Sequence, residues 1–222
     1  QLYKEEGRIE YPVIDKEALP IEFDDETIYK LRVREKMDEE VPEGVLPSKN
    51  HFLLVEVLEK NVSCPELEAI LEEYRKPVIL HDDLLGELVY NRQIKTFEGS
   101  VLWQDEKIYI TLDVNKDNKG GITKGKNALK AMISNQSKWD EDLPYFAAKS
   151  LIKCAREWDE SDARESEISE EDFAKRIRIS SIWMTSGGSF SVYFDDDDIF
   201  FGHTVRVSGS LKKGLVSADI EG

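Results

Sequence analysis

FEGSVLWQDEKIYITLDV, residues 97–114, is the stretch that decides the fold. Ile108, Ile110, Leu112 and Val114 recur at every second position, with Tyr109, Thr111 and Asp113 between them. That period places one row of side chains in a core and the other in water, which is the mark of a half-buried β-strand. Phe97, Val101 and Trp103 share one face of the strand before it, and Gln104-Asp105-Glu106 supplies the turn. A short strand over Gly86–Tyr90 precedes both, so the stretch reads as a β-meander.

The pattern changes period on the C-terminal side. After a polar loop, Asn115–Gly121, the apolar stripe Ala128, Leu129, Met132, Ile133 predicts a helix over about 124–135. Ala148, Leu151, Ile152, Ala155 and Trp158 predict a second over about 140–158, with Pro144 expected in its first turn, where its missing N–H costs nothing. An acidic connector follows from Glu157 to Asp172, with nine acids and one Arg; at its end Ser169 and Asp172 have the spacing of a capping box for a short helix through Arg176. The chain then returns to period two. Ile177, Ile179, Ser181 and Trp183 form one strand, Phe190, Val192 and Phe194 a second, and Thr204–Ser208 a third before the tail. Three strands, helices and three strands predict an α+β domain, an antiparallel sheet with helices packed on it.

On the N-terminal side the signals are weaker. Gln1–Asp25 reads as an extended arm with Pro12 and Pro20. Thr27–Glu35 alternates as a strand, and Met37–Asn50 carries loop residues. His51–Lys60 suits either a buried strand or a helix; a helix from Ser63, with Pro65 in its first turn, ends at Lys76-Pro77. Val78–Leu80 reads as a short strand, and a boundary falls near Asp82-Asp83. The expected organisation is therefore a smaller α+β region over 1–83 with an extended arm, and a C-terminal α+β domain over 84–222.

Charge narrows the function. The 222 residues carry a formal net charge of −16, which repels phosphate backbones and disfavours nucleic acid as a partner. The excess is concentrated in residues 1–83, with 22 acids against 11 bases; residues 84–222 hold 24 against 19. No membrane span or signal peptide is visible, and the two cysteines, Cys64 and Cys154, read as small packing groups in a reducing, cytoplasmic setting.

Chemistry-bearing motifs are few. Asp113-Val114-Asn115-Lys116-Asp117-Asn118 copies the opening of a calcium loop, but Asn118 stands where the sharp turn needs Gly and Lys124 where a bidentate Glu is needed. Asp195, Asp196, Asp197 and Asp198 are four adjacent carboxylates in a turn; with His203 they are the candidates for a metal or hydrolytic site, set against a plainly solvated turn. There is no phosphate-cradling glycine loop, no nucleophile elbow and no C-x-x-C, so no catalytic residue and no cofactor is expected. Trp183, Tyr193, Phe200 and Phe201 are candidate interaction residues, because aromatic side chains concentrate interface energy.

From about Leu84 the chain resembles the bacterial family catalogued as domain of unknown function 2262. The residues that carry the resemblance are Leu85-Gly86-Glu87, Phe97-Glu98-Gly99, Phe146-Ala147-Ala148-Lys149 and the closing run Phe201-Gly202-His203-Thr204-Val205-Arg206-Val207-Ser208-Gly209. The stretch Leu71–Val78 resembles the region that precedes that domain in related proteins. The resemblance implies an uncharacterised bacterial protein and brings no catalytic residues. The expected function is a non-enzymatic acidic binding protein, immunity-like against a basic partner protein. The alternative is a metal-dependent hydrolase or a small-ligand-binding module using Asp195–Asp198 and His203.

Overall fold

A computed structural model describes residues 3–5, 8–10, 22–35, 52–114, 121–158 and 168–222. The chain divides into two compact units, Gln1–Lys76 and Pro77–Gly222. No helix among the described residues is long and apolar enough to cross a membrane.

The N-terminal unit holds an antiparallel pair, β1 (Tyr3–Glu5) with β2 (Arg8–Glu10), a second antiparallel pair, β3 (Tyr29–Glu35) with β4 (Phe52–Lys60), and helix α1 (Pro65–Arg75). The ambiguous run at 52–60 is thus a strand: its partner β3 supplies the ladder that a lone apolar run lacks. Helix α1 starts where proline is tolerated, and Glu68 replaces a side-chain cap by accepting from the Cys64 N–H (3.1 Å) and the Ser63 hydroxyl (2.9 Å). Arg75 at its other end pairs with Glu26 ahead of β3 (2.8 Å).

The C-terminal unit is one eight-stranded sheet with helices on one face. Four strands, β5 (Ile79–Asp82), β6 (Gly86–Asn91), β7 (Thr96–Trp103) and β8 (Glu106–Asp113), form an antiparallel meander. Helices α2 (Thr123–Ser134), α3 (Gln136–Trp158) and α4 (Glu170–Arg176) follow, and then a second meander, β9 (Arg178–Met184), β10 (Ser189–Asp195), β11 (Thr204–Ser210) and β12 (Gly214–Glu221). The meanders join through one parallel pairing, Tyr109–Leu112 of β8 with Ser181–Met184 of β9, so the sheet order runs β5 to β12 in sequence.

The α+β class holds, with four strands on each side of the helices rather than three. The short strand read at Val78–Leu80 is β5, which pairs with β6 and so belongs to this sheet, and β12 is an added strand. Residue Val216, an extra residue in β12 opposite Ser208 and Gly209, breaks the alternation by which a strand is read. A bulge also re-phases β9. Ser180 is the extra residue opposite Tyr193 and Phe194, and its hydroxyl donates to the Tyr193 carbonyl (3.2 Å). Ile179 therefore faces the core and the next inward positions are Ile182 and Met184, whereas a bulge-free alternation puts Ser181 and Trp183 beside Ile179.

Helix α3 begins at Gln136, not near Asp140, so Pro144 lies in the helix interior rather than in its first turn. Anchors from the β7–β8 turn explain the early start. The Trp103 indole N–H donates to Asp140 (2.9 Å), and the Gln104 N–H donates to the Gln136 side chain. The cap of α4 is as expected, the Asp172 N–H donating to the Ser169 hydroxyl (3.1 Å). Close packing of α3 rests on Ala147 and Ala148, both fully buried among Leu143, Leu151 and the sheet residues.

One buried charge fixes the β5–β6 corner. The Asp82 side chain is only 5% exposed, accepts from the N–H groups of Leu84 (3.0 Å) and Leu85 (3.3 Å), and faces Lys130 (2.9 Å) and Lys126 (3.6 Å) of α2. The hydrogen bond from Lys130, helped by the two amides and opposed by burial, holds its carboxyl down to about 2. A carboxyl depressed in the folded state adds stability that is complete above its unfolded value near 4. That stability is lost as pH falls from about 4 to about 2. Asp82→Asn should cost about 2 kcal/mol at neutral pH in chemical denaturation, and the gap to the wild type should close across that acidic window.

Candidate functional site

The strands of the C-terminal sheet are read twice, once on each face. One parity, Leu88, Ile110, Ile182, Val192 and Val207 among others, is buried against α2 and α3. The opposite parity forms an open face whose rows follow from the register. One row runs Val89, Glu98, Thr111, Trp183, Ser191, Ser208, Ser217 across seven strands. The next runs Ser100, Tyr109, Ser181, Tyr193, Arg206, Asp219.

Serines and threonine keep the centre of this face low, and three aromatics stand above it. Tyr109 is 70% exposed, Trp183 is 36% exposed and Tyr193 is half-buried. They sit on β8, β9 and β10, neighbours in the sheet, so they lie side by side on paired strands. A hollow of about 510 Å3 beside them is lined by Val89, Asn91, Glu98, Ser100, Tyr109 and Thr111.

Acids border the aromatics. Glu98 accepts from Thr96 (2.9 Å) and from Asn91 (3.3 Å), which fixes its carboxylate at the rim of the hollow. On the far side Arg206 is held by Asp219 (3.1 Å) and by Glu221, and these partners raise its affinity for its proton above the arginine norm. The one cation in the two central rows is thus matched by two carboxylates, which leaves the face acidic.

The carboxylate run at 195–198 is taken up by local structure. Asp196 is buried and accepts from the Asp198 N–H (3.2 Å) and the Phe200 N–H (2.6 Å), forming the floor of the turn. Asp197 pairs with Arg176 of α4 (2.8 Å), while Asp195 and Asp198 are exposed. His203 donates from Nδ1 to the Phe200 carbonyl (2.6 Å) and meets Trp158 edge to face at 5.2 Å. Among the described residues no three His, Cys, Asp or Glu side chains gather in a group that could hold a metal ion. Residues 115–118 of the calcium-like string lie outside the described residues. Cys64 and Cys154 are free thiols, both half-buried.

The four aromatic candidates separate. Trp183 and Tyr193 come together on the open face. Phe201 lies elsewhere, 59% exposed, at a left-handed φ of 56°, stacked on Trp158 at 5.9 Å. Phe200 is corrected: it is fully buried between Trp158 and Phe173, so it is a core residue and not an interaction residue. Sequence reasoning passed over Tyr109 and Arg206. Tyr109 carried a usable signal, a large aromatic at an outward position of the most regular strand.

A family model described as "Uncharacterized protein conserved in bacteria (DUF2262)" matches residues 82–220. The chain belongs to this family. A second model, "Domain of unknown function (DUF7021)", matches residues 1–74. Neither the curated proteins nor the solved structures hold a match to the chain.

The runs that resemble the family now have physical roles. In Leu85-Gly86-Glu87, Leu85 is buried and Gly86 takes φ 72° in the β5–β6 turn. Gly99 has no room for a side chain, because an added Cβ would lie 2.4 Å from Leu88. In the closing run Val205 and Val207 enter the core, while Thr204, Arg206 and Ser208 belong to the open face. These assignments separate core from face in stability measurements. Phe200→Ala should destabilise by about 3–5 kcal/mol, whereas Tyr109→Ser should stay within about 0.5 kcal/mol. Thermal and denaturant melts of the two variants read the contrast.

Proposed function

We propose that this chain is a non-enzymatic binding protein that docks a basic partner protein on the open face of its C-terminal sheet. The observation that carries the reading is the group Tyr109, Trp183 and Tyr193 on three adjacent strands, exposed or half-exposed and edged by Glu98, Asp219 and Glu221. Large aromatics on a rigid platform lose little conformational freedom when they are covered, which makes them efficient anchors. The acidic rim and the −16 charge favour a basic surface over an acidic or phosphate-rich one. An immunity-like role, occupying a basic toxin, is one biological form of this chemistry.

The reading needs no catalytic group. It uses the acids as a diffuse field rather than as a cluster, in keeping with the local partners of Asp196 and Asp197.

Affinity capture with the full chain tests it, comparing wild type with a Tyr109→Ser/Trp183→Ala double variant. The expected result is a basic protein retained at low salt, released at high salt and lost with the double variant, since anchors of this kind contribute about 2 kcal/mol or more each. A variant with Glu66 and Glu72 of α1 changed to Gln should retain the partner. Equal capture by the double variant, or no basic protein at low salt, would overturn the proposal.

A further inference from the structure

Below the open face, the two central strands part. Among the described residues the β8–β9 ladder begins only at Tyr109 and Ser181, although both strands extend further, β8 from Glu106 and β9 from Arg178. The bulge at Ser180, tied to the Tyr193 carbonyl, draws this end of β9 toward β10 and away from β8. Main-chain polar groups left along a strand edge inside a fold need partners, from protein, water or a ligand.

A cavity of about 660 Å3, open to solvent along one side, lies at the parting and is bordered by residues of α3 and α4. That volume is within the roughly 300–1,000 Å3 of small-molecule sites. Its walls are of two kinds. Trp103, Ile177 and Ile179 are buried and give an apolar floor. Charges of both signs stand at its exposed rim: Asp105, Glu106 and Asp140 on one hand, and on the other Arg178 and Lys175, the latter paired with Glu171 (2.6 Å). Asp140 on α3 accepts the Trp103 indole N–H through Oδ1 (2.9 Å), which orients the carboxylate and leaves Oδ2 for another donor. Arg178 is anchored through Nη1 to the carbonyls of Lys175 and Ile177 (3.0 Å to the latter), which sets a guanidinium with further N–H donors at the wall.

We infer that this cavity binds a small zwitterion with an apolar body, of the class of the free apolar or aromatic α-amino acids. The ammonium group fits Asp140, the carboxylate fits Arg178, and the side chain covers the Trp103–Ile177–Ile179 floor. A purely apolar ligand uses neither Oδ2 of Asp140 nor the remaining N–H donors of Arg178, and an anion alone leaves Asp140 facing negative charge. The site is separate from the proposed docking face and stands whether or not that reading does.

The test is titration of the full chain with free phenylalanine, leucine and tryptophan, read by the amide spectrum, including the Trp103 indole N–H, and by thermal shift. The amide and N-acetyl forms of each amino acid serve as probes lacking one charge. A free amino acid should move the Trp103 indole signal and raise the melting temperature. Removing either of its charges should weaken binding at least about tenfold. Asp140→Asn keeps the acceptor for Trp103 and Arg178→Gln keeps a donor; each should bind at least about tenfold more weakly while melting like the wild type without ligand. Ile94→Ser, in the exposed turn between β6 and β7, should bind normally. Absence of binding by all three amino acids, or binding of the amide or the N-acetyl form as tight as that of the free amino acid, would overturn the inference.

Discussion

The parallel pairing of β8 with β9 is the constraint from which the rest of the C-terminal unit follows. Antiparallel neighbours can be joined by a tight turn, but a parallel neighbour must be reached by a crossover. Here the crossover is α2, α3 and α4, and it packs on a single face of the sheet. Eight strands then share one buried face and one open face. The same strand residues, read at alternate parity, supply both the hydrophobic core and the aromatic platform. Ile108 and Ile110 hold the fold while Tyr109 between them faces outward.

A one-residue insertion in β9 produces two further features. Because side chains alternate, an extra residue at Ser180 moves everything after it to the other face. Trp183 thereby leaves the core side and joins Tyr109 and Tyr193, while Ile182 and Met184 take the inward places. The same bulge bends the start of β9 away from β8 and opens the cavity over Trp103. Surface and cavity are thus consequences of one backbone irregularity, on opposite sides of the same strand.

Much of this fold was legible because burial imposes a period. Strands β7, β8 and β10 showed it directly, α2 and α3 showed the helical stripe, and the Ser169–Asp172 cap marked α4. What escaped was whatever breaks a period or acts through distant residues. Bulges at Ser180 and Val216 disguised the phase of β9 and the existence of β12. The start of α3 depends on contacts with Trp103 and Gln104, which lie some thirty residues earlier in the chain, a dependence local rules do not carry. For the site, Trp183 and Tyr193 were singled out as aromatics, but only the register joins them to Tyr109 and Arg206. Adjacent Phe200 and Phe201 look alike in sequence; the left-handed backbone at Phe201 sends one to the core and the other to solvent.

The acidity of the chain divides into two kinds, and the division bears on how a partner is held. Some carboxylates serve the fold: Asp82 locks a corner to α2, Asp196 caps a turn, Asp197 ties that turn to α4. Their charge is matched or hydrogen-bonded close by, so it adds little to the field outside. The remainder is unmatched in aggregate, since the chain carries a net charge of −16. Exposed charge of this kind is screened within about 10 Å at ordinary ionic strength and acts chiefly on encounter. It cannot by itself hold a complex. Holding requires surface that excludes water, and on the open face that surface is the aromatic group of Tyr109, Trp183 and Tyr193. In the complex we propose, charge therefore selects which partner arrives, and the aromatics decide how long it stays.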